Sequence, residues 1–287
     1  MDAVVAPLPS AAPCIPLNDP TPAIVFSDLD GTLLDGRTYR FDEARPALDM
    51  LRLRGIPLIL CSSKARREIE LWRVRLANRD PFIFENGGGI CVPQGYFRFP
   101  IGGEADDGLI VIPQGTPYPE LRVALRELRQ ELGVAVTGFG DLTAAEIAEL
   151  TGLPLVDADL ARRREFDEPF VFDDAQDPRA SEFLRAIDAR GLRWTRGRFF
   201  HILGDNNKGR AARLVAGLYR RMWPALRTVG IGDALNDLPL LQSVDVPVLV
   251  QRADGSYAET APLPGLVRAE GAGPAGWNRA LLGIFGA

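Results

Sequence analysis

Two aspartates one residue apart follow a short apolar run near the start of the chain. The stretch SDLDGTLLDG, residues 27–36, carries them as Asp28 and Asp30, directly after AIVF. Side chains two positions apart on an extended chain point to the same side, and buried carboxylates require a cation, a proton or a reaction to compensate them. Gly31 permits a sharp turn. One carboxylate could therefore act as a nucleophile and the other as a proton carrier, although a capped turn with two solvated acids fits the same pattern.

A second pair of carboxylates lies late in the chain. The stretch GIGDALNDLP, residues 230–239, places Asp233 just after a predicted strand and Asp237 four residues later, with Asn236 between them. At a helix start this spacing puts both carboxylates on one side, where they could hold a hard cation such as Mg²⁺. Helix capping by Asp233 is the alternative for this stretch taken alone.

Two further stretches could bind an anion at predicted helix starts, where free backbone N–H groups point outward. CSSKARRE, residues 61–68, contains Ser62, and DNNKGR, residues 205–210, contains Lys208. Lys64 and Lys208 are the only lysines among 33 basic residues, and all the others are arginine. We expect both positions to need a compact ammonium group where a planar guanidinium would not fit.

Helices and strands must hold these stretches in place, and the pattern of apolar residues predicts where they lie. Strand-like runs alternate with amphipathic helical segments at both ends of the chain, which is typical of a parallel, doubly wound sheet. The predicted strands are 23–27, 56–61, 82–84, 228–232 and 246–250, and the predicted helices are 43–54, 64–77, 208–220 and 235–242. Between them the chain changes to short strands and helices, where Thr143 and Glu146 form a capping-box pattern that should open a helix.

The fold class that follows is α/β, with a doubly wound, Rossmann-like parallel-sheet core and an inserted α+β cap domain. We expect a disordered extension over 1–22, the core over 23–88 and 204–287, and the cap over 89–203. Ligands of open parallel sheets bind beyond the carboxyl ends of the strands. Four residues follow predicted strands, so we expect them to converge on one crevice: Asp28, Ser62, Glu85 and Asp233.

Composition excludes several classes of function. The net charge is −5 and no basic stripe is present, which argues against a nucleic-acid partner. No apolar stretch reaches the roughly 20 residues that span a bilayer, and the first 22 residues lack the features of a signal peptide, so we expect a cytoplasmic protein. Three unpaired cysteines and a single histidine leave carboxylates to hold a metal, which favours Mg²⁺.

The order of these motifs resembles that of the haloacid dehalogenase-like phosphohydrolases. Asp-x-Asp-Gly-Thr, Ser, Lys and Gly-Asp-x-x-Asn-Asp follow one another between residues 23 and 250, and the insertion resembles the second type of cap domain in that superfamily. Within it the chain resembles the mannosyl-3-phosphoglycerate phosphatase family. The stretches that carry this resemblance are SSKARREIE, FENGGGI, GFGDLTAAEIAELTGLP, RREFDEPFVF and GRFFHILGDNNKGRA.

The resemblance implies Mg²⁺-dependent hydrolysis of a small sugar-phosphate substrate through an aspartyl-phosphate. Asp28 would be the nucleophile, and Asp30 would protonate the leaving oxygen and then activate water. The implied metal residues are Asp28, Asp30 through its backbone carbonyl, Asp233 and, in the outer shell, Asp237. The implied phosphate-binding residues are Ser62, Lys208 and Asn236.

The rest of the substrate would carry a carboxylate and a hexose. A carboxylate favours a bidentate arginine, and we expect Arg164 to supply it. The full set of expected substrate-binding residues is Lys64, Glu85, Asn86, Gly87, Gly88, Arg164 and Asp167. The single histidine, His201, is predicted to be structural, and the protein to be a monomer or homodimer without nucleic-acid or membrane partners.

Four alternatives stay open at this point. Cys61 and Arg67 fit the C-x₅-R spacing of cysteine-dependent phosphatases, although the loop between them lacks the glycines that wrap a phosphate. A sugar phosphomutase would use a similar cap, and a non-catalytic sugar-phosphate-binding protein would use a similar crevice. The hexose itself could be glucosyl instead of mannosyl.

Overall fold

The computed structural model describes residues 21–286. The expected extension over 1–22 lies outside this range except for its last two residues. Pro22 is part of the fold, because its carbonyl accepts a hydrogen bond of 2.8 Å from the N–H of Arg227. Over the described range, no helix combines the length and apolar character that a membrane span requires.

The strands form a large and a small sheet. In chain order they are β1 (Ala23–Ser27), β2 (Leu58–Cys61), β3 (Phe82–Phe84), β4 (Gly89–Pro93), β5 (Glu104–Asp106), β6 (Leu109–Pro113), β7 (Val136–Gly138), β8 (Asp167–Phe172), β9 (Arg193–Arg196), β10 (Phe200–Leu203), β11 (Arg227–Gly232), β12 (Val246–Gln251) and β13 (Val267–Ala272). The large sheet has the order β13-β12-β11-β1-β2-β3-β4-β6-β5, and the small sheet has the order β7-β8-β10-β9. The strands from β13 to β3 run parallel, whereas β4, β6, β5 and the small sheet pair antiparallel.

Helices connect these strands and cover the sheets. They are α1 (Arg45–Leu53), α2 (Arg66–Arg75), α3 (Tyr118–Leu132), α4 (Ala144–Thr151), α5 (Leu155–Ala161), α6 (Ala180–Ala189), α7 (Lys208–Arg220), α8 (Leu238–Leu241) and α9 (Gly273–Phe285). The predicted capping box opens α4, since the N–H of Glu146 donates to Thr143 Oγ1 at 3.3 Å and the N–H of Thr143 donates to Glu146 Oε2 at 2.7 Å. This prediction is confirmed.

The large sheet is buried on both faces, as its continuous apolar strands require. Along β1, Ala23 and Val25 enter one hydrophobic core, which also contains Trp277 of α9. Ile24 and Phe26 enter the other core, which also contains Val215 of α7. The α/β fold class with a doubly wound parallel sheet and a second, α+β unit is therefore confirmed.

The expected start of the inserted unit at residue 89 needs a correction. The strands β4, β5 and β6, which together span 89–113, continue the large sheet beyond β3 instead of joining the small one. The physical reason is that the chain turns back directly after β3, so that β4 pairs antiparallel with β3. This pairing adds β4, and then β6 and β5, to the edge of the large sheet. The small sheet and α3 to α6 form the second unit, which spans 118–203. We call this second unit the cap and the large sheet with its helices the core.

The C-terminal elements β13 and α9 are absent from the sequence prediction, yet they support the site. The indole N–H of Trp277 in α9 donates to Ser27 Oγ at 2.9 Å, at the end of β1. Ser27 Oγ in turn donates to the carbonyl of Asp28 at 2.7 Å. The last helix of the chain therefore fixes the end of the strand that presents Asp28.

Candidate active site

Four strand ends bring the predicted polar residues to one edge of the large sheet. β11, β1, β2 and β3 are consecutive parallel neighbours. The residues that follow these strands are Asp233, Asp28, Ser62 and, in a 3₁₀ turn, Glu85. The four residues therefore lie along one edge of the sheet, as the strand pattern predicts, but only Asp28 and Asp233 line the cavity described below.

Three carboxylates form a tight group at this edge, which we call the carboxylate cluster: Asp28, Asp233 and Asp237. One oxygen from each lies within 4.8 Å of the others. Asp237 Oδ2 accepts hydrogen bonds of 3.1 Å from the N–H groups of Asp233 and Ala234, and Asp233 Oδ1 accepts one of 2.7 Å from Thr32 Oγ1. These contacts fix the orientation of both acids before any ligand binds.

Gly31 allows this close approach between two loops. Its φ is +80°, and a Cβ added there would lie 2.8 Å from Asp233 Oδ2. A side chain would therefore both strain the backbone and displace an oxygen of the carboxylate cluster.

Lys208 is the one ammonium group that contacts this cluster within residues 21–286. It is fully buried, and its Nζ donates to Asp28 Oδ1 at 2.7 Å and to Asp237 Oδ1 at 2.6 Å. Although burial opposes it, the charges of Asp237 and Asp28 raise the pKa of Lys208, so that it stays cationic. Three carboxylates face one ammonium group, which leaves the site with an excess of negative charge.

Burial and the neighbouring carboxylates raise the pKa values of Asp28 and Asp233. Burial, followed by the Asp237 carboxylate, raises the pKa of Asp28 well above its ordinary value, while Lys208 lowers it. Burial, again followed by Asp237, raises the pKa of Asp233 to about 7. Oxygen ligands this close together suit a hard divalent cation. Bonds of about 2.1 Å from Mg²⁺ to its ligands, for example, place the ligand oxygens within roughly 4 Å of one another.

Asp30 lies beside the cluster and is held by the second lysine. Lys64 Nζ is 2.8 Å from Asp30 Oδ2 and 3.5 Å from Glu68 Oε1, and it lies 5.1 Å from the centre of the Tyr39 ring. Asp30 Oδ1 is buried without a hydrogen-bond partner among the described residues. One oxygen of Asp30 is thus held by Lys64, while the other has no hydrogen-bond partner among the described residues.

Behind this region a second buried group of charges joins the core to the cap, and we call it the junction network: Glu85, Arg164 and Asp167. Glu85 accepts hydrogen bonds from the backbone N–H groups of Glu165, Phe166 and Asp167, at 3.0, 2.5 and 2.9 Å to Oε2. Burial raises the pKa of Glu85 to about 8, against the lowering effect of Arg164.

Arg164 has a different environment from the one expected of a substrate-binding residue. Its side chain is 2% exposed and forms an ion pair with Asp167. It also donates to the carbonyl of Ser63 at 2.8 Å and lies 3.8 Å from Glu68 Oε2. Because its donors are directed at protein groups, the guanidinium links α2 of the core to β8 of the cap, and we no longer assign it to the substrate carboxylate.

Asp167 is surrounded by three side chains from both units. Besides its ion pair with Arg164, its Oδ2 accepts from Asn86 Nδ2 at 3.0 Å and contacts His201 Nδ1 at 3.1 Å. Burial raises its pKa, but Arg164 and then His201 lower it by more, so the net shift is downward. The side chains of Asn86 and Asp167 are therefore hydrogen-bonded to each other instead of being available to a ligand.

Gly87 and Gly88 are required by packing. A Cβ on Gly87, whose φ is +86°, would lie 2.3 Å from the carbonyl oxygen of Asn207, and a Cβ on Gly88 would lie 2.4 Å from Cβ of Phe166. The preceding residues Glu85 and Asn86 also have left-handed φ values of 48° and 54°. This turn is a tightly packed crossing point between core and cap.

A cavity of about 610 Å³ lies between the carboxylate cluster and the cap. The expected site residues that line it are Asp28, Asp30, Lys64, Arg164, Asp233 and Asn236. The others are buried and are not among its lining residues, namely Ser62, Glu85, Asn86, Gly87, Gly88, Asp167, Lys208 and Asp237. Of these, Ser62 is buried, and its hydroxyl accepts from the N–H of Lys64 at 3.2 Å, while its neighbour Ser63 lines the cavity.

The cap contributes lining residues that the sequence prediction omits. They are Phe139, Thr151, Leu153, Ala161, Pro169, Arg196, Gly197, Arg198, Phe199 and His201. The tip between β9 and β10 comes close to the core, since a Cβ on Gly197 would lie 3.7 Å from the Asn236 amide. The stretch GRFFHILGDNNKGRA was the available signal, because it joins this tip to Lys208 in one segment.

Cys61 is unsuited to the alternative chemistry of a thiolate nucleophile. It is fully buried at the end of β2, and burial raises the pKa of its thiol. A thiol must ionise to attack phosphorus, so the C-x₅-R interpretation has no support in this environment.

Comparisons with known proteins identify relatives of this chain. A family model described as haloacid dehalogenase-like hydrolase matches residues 25–97. A glucosyl-3-phosphoglycerate/mannosyl-3-phosphoglycerate phosphatase from Methanococcoides burtonii is 44% identical over 265 residues, which cover 92% of this chain and 97% of that protein. The protein of the same name from Persephonella marina is 37% identical, covering 91% and 97%. A mannosyl-3-phosphoglycerate phosphatase from Pyrococcus horikoshii is 33% identical, covering 79% and 90%.

Solved structures share the fold at low sequence identity. A phosphatase of the haloalkanoate dehalogenase superfamily from Bacteroides thetaiotaomicron superimposes with a TM-score of 0.63 at 20% identity, covering 96% of this chain and 99% of that one. A subclass IIB sugar phosphatase of the superfamily superimposes with a TM-score of 0.56 at 15% identity, covering 93% and 99%. These likenesses support the arrangement of core and cap.

Proposed function

Since the chain belongs to the mannosyl-3-phosphoglycerate phosphatase family of the haloacid dehalogenase-like hydrolases, we propose that it hydrolyses hexosyl-3-phosphoglycerate to the hexosylglycerate and phosphate. The enzyme is a phosphoric monoester hydrolase. Mannosyl-3-phosphoglycerate is the primary substrate in this proposal. The glucosyl ester is the alternative, and the names of two relatives include both sugars.

The observation that carries the proposal is the pairing of a crowded carboxylate with a buried ammonium group. Asp28 contacts Lys208 at 2.7 Å and shares the carboxylate cluster with Asp233 and Asp237. Phosphoryl transfer needs positioned positive charge around the transferred group more than elaborate covalent chemistry. Lys208 supplies one such charge, and a bound cation would supply the next.

Mg²⁺ is the cofactor that we propose for this site. The donor set consists of carboxylate oxygens within 4.8 Å of one another, and no histidine or cysteine belongs to it. This chemistry fits a hard cation. Asp28, Asp233 and the backbone carbonyl of Asp30 would hold the ion, with Asp237 supporting Asp233, and the ion would neutralise phosphoryl oxygens.

In the proposed reaction, Asp28 attacks phosphorus and the bond from phosphorus to the glycerate oxygen breaks. Asp30 donates a proton to that leaving oxygen, and its unpartnered Oδ1 is the available atom. Asp30 then takes a proton from water, which hydrolyses the aspartyl-phosphate and releases inorganic phosphate. Lys208 neutralises the phosphoryl oxygens, and we assign Ser62 and Asn236 the same task.

The substrate carboxylate needs a cation other than Arg164. Four arginines line the cavity and have no acidic ion-pair partner within residues 21–286: Arg37, Arg196, Arg198 and Arg252. Of these, Arg198 donates to the backbone carbonyls of Thr151 and Leu150. We propose that the carboxylate binds among these groups, because arginine suits carboxylates geometrically. Lys64 could then remain with Asp30, which it already contacts.

A phosphate-release screen with Mg²⁺ tests the proposal. Its panel contains mannosyl-3-phosphoglycerate, glucosyl-3-phosphoglycerate, sucrose phosphate and simple hexose phosphates. We expect the highest kcat/KM for the hexosyl-3-phosphoglycerates, and loss of turnover with excess chelator. An isomerised sugar phosphate without phosphate release would indicate a mutase instead, and binding without turnover would indicate a non-catalytic protein. A cytoplasmic location and a monomeric or homodimeric state stay predictions.

A further inference from the structure

The only histidine of the chain, His201, lies on the cap wall of the cavity. It belongs to β10 and is 4% exposed. In the antiparallel register it stands opposite Pro169, and Leu203 stands opposite Asp167. Paired and alternate residues share a sheet face, so these four side chains occupy one face of the small sheet. The opposite face carries Phe170 and Ile202 in the hydrophobic core of the cap.

One ring nitrogen of His201 is committed to the protein. Nδ1 contacts Asp167 Oδ2 at 3.1 Å, and Asp167 is itself held by Arg164 and Asn86. A carboxylate accepts hydrogen bonds, so Nδ1 carries the hydrogen in this contact. The ring is thereby fixed in orientation by a carboxylate that is anchored from both core and cap.

The other ring nitrogen, Nε2, has no hydrogen-bond partner among the described residues, and the ring borders the cavity that contains Asp28 and Asp30. In the neutral ring with hydrogen on Nδ1, Nε2 is an acceptor. An acceptor in this wall requires a ligand group that donates a hydrogen, which a hydroxyl has and a carboxylate lacks.

We propose that His201 Nε2 accepts a hydrogen bond from a hydroxyl of the substrate's hexose, with Asp167 as the positioning residue. This inference rests on the proposed function. The phosphoryl group must reach Asp28 in the core, and one oxygen atom joins the phosphoryl group to C3 of the glycerate. The hexose is attached one carbon further away, which directs it toward the cap wall where His201 lies.

Two conservative variants separate substrate binding from support of Asp167. The amide nitrogen of asparagine in His201→Asn matches the position of Nδ1, so this variant retains the contact with Asp167 but removes the cavity acceptor. The amide of glutamine in His201→Gln matches the position of Nε2, so this variant retains the cavity acceptor but loses the contact with Asp167. A purely structural histidine would therefore tolerate asparagine better than glutamine.

The kinetic test compares a hexosyl-3-phosphoglycerate with 3-phosphoglycerate, which lacks the hexose, and with an aryl phosphate. We expect His201→Asn to lower kcat/KM for the hexosyl ester about tenfold more than for 3-phosphoglycerate, as one lost hydrogen bond at a buried acceptor site implies. The change should lie mainly in KM. His201→Gln should retain more of this selectivity than His201→Asn.

Equal losses on hexosyl and hexose-free substrates would overturn the proposal, as would a larger selectivity loss in His201→Gln than in His201→Asn. The proposed function has a separate failure, in which the wild type hydrolyses the aryl phosphate but no hexosyl-3-phosphoglycerate. Wild-type turnover of the hexosyl ester combined with unselective variants would remove only the role of His201.

A second measurement needs no variant. Because the chain contains one histidine, the imidazole ¹⁵N resonances of the uniformly labelled wild type report on His201 alone. We expect saturating hexosylglycerate, the product, to shift Nε2 and to leave Nδ1 nearly unchanged, whereas glycerate should shift neither. An unshifted Nε2 at saturation, established by isothermal titration calorimetry, would overturn the proposal.

Discussion

The carboxylate cluster and the junction network are both buried groups of charges, but they differ in how those charges are balanced. In the cluster, three carboxylates share one ammonium group, Lys208. In the junction network, Glu85 accepts from three backbone N–H groups, and Asp167 is paired with Arg164. The first arrangement keeps excess negative charge. In the second, Arg164 balances Asp167, and the raised pKa of Glu85 favours the neutral form of this residue.

This difference separates residues that act on a ligand from residues that hold the two units together. A buried charge without compensation is costly, so it persists where a ligand or an ion completes it. A buried charge that is fully paired within the protein has no hydrogen-bonding group left for a ligand. If that residue is removed, its partner becomes a buried charge without compensation, which destabilises the fold. Variants of the cluster should therefore lose activity, and variants of the network should lose stability.

The sharpest test of this difference is Asp28→Asn. We expect a loss of kcat of at least about 10³-fold, because the amide cannot attack phosphorus, while the melting temperature stays equal or rises as like-charge repulsion falls. Phosphate release and thermal unfolding measure the two effects. The exposed Asp49→Asn serves as control. A variant with kcat within tenfold of the wild type, or one that is strongly destabilised, would contradict the assignment.

Lys208→Arg should lose about 10²-fold or more in kcat, nearly as much as Lys208→Ala. The ammonium group is fully buried between Asp28 and Asp237 at 2.7 and 2.6 Å, a space in which a planar guanidinium does not fit. The nearby Arg210→Lys, on the exposed side of α7, is the control. Turnover of Lys208→Arg within a few-fold of the wild type would show that shape does not matter there.

Arg164→Met should act in the opposite way to the cluster variants. We expect a loss of about 3 kcal/mol in the free energy of unfolding, because Asp167 is left as an uncompensated buried charge. Losses of activity should be similar for a hexosyl-3-phosphoglycerate and for an aryl phosphate. Denaturant unfolding of this variant and of its exposed neighbour Arg163→Met provides the comparison. A loss confined to the hexosyl ester would restore Arg164 as a carboxylate-binding residue.

Glu85→Gln should change the pH dependence of stability. Burial raises the pKa of Glu85 from the ordinary value of 4.5 to about 8, so the protonated form favours folding. This contribution is complete below pH 4.5 and is lost as the pH rises through 8. We expect the free energy of unfolding of the wild type to fall by about 4 kcal/mol more than that of Glu85→Gln between pH 5 and 8.5. Parallel curves for the two proteins would show that Glu85 does not titrate in this range.

Cys61→Ala should have the smallest effect. Since burial raises the pKa of the thiol, we expect kcat within about threefold of the wild type and a stability loss of about 1 kcal/mol from the missing sulfur. Activity that disappears in Cys61→Ala but survives removal of Mg²⁺ would reverse the mechanism.

The ends of the core strands were predictable because their signals are local. Apolar runs that stop at Asp28, Ser62, Glu85 and Asp233 define both the strands and their ligand-binding edge. The boundary at 89 was wrong because a short apolar run does not show which sheet it joins. That choice depends on the turn at Glu85 and Asn86, whose left-handed backbone appears only in three dimensions.

Residue type predicted the cluster better than the junction network. The arginine in REFDE, Arg164, suggests a residue that binds the substrate carboxylate. Asp167, three residues later, forms an ion pair with it instead. No local pattern reports that the backbone of 165–167 wraps around Glu85, about 80 residues earlier in the chain. The C-terminal β13 and α9 escaped prediction because VRAEGAGPAGW has neither alternation nor a helical stripe before Trp277.

The hydrogen bond from Trp277 to Ser27 has a consequence for how the protein is made. Two hundred and fifty residues separate the donor from the acceptor, so β1 acquires this contact only after α9 has been synthesised. A nascent polypeptide interrupted before α9 would present Asp28 at the end of a strand that lacks this support. Translation of α9 is therefore needed before the site is fully supported, and a stop codon placed before Trp277 should lower activity.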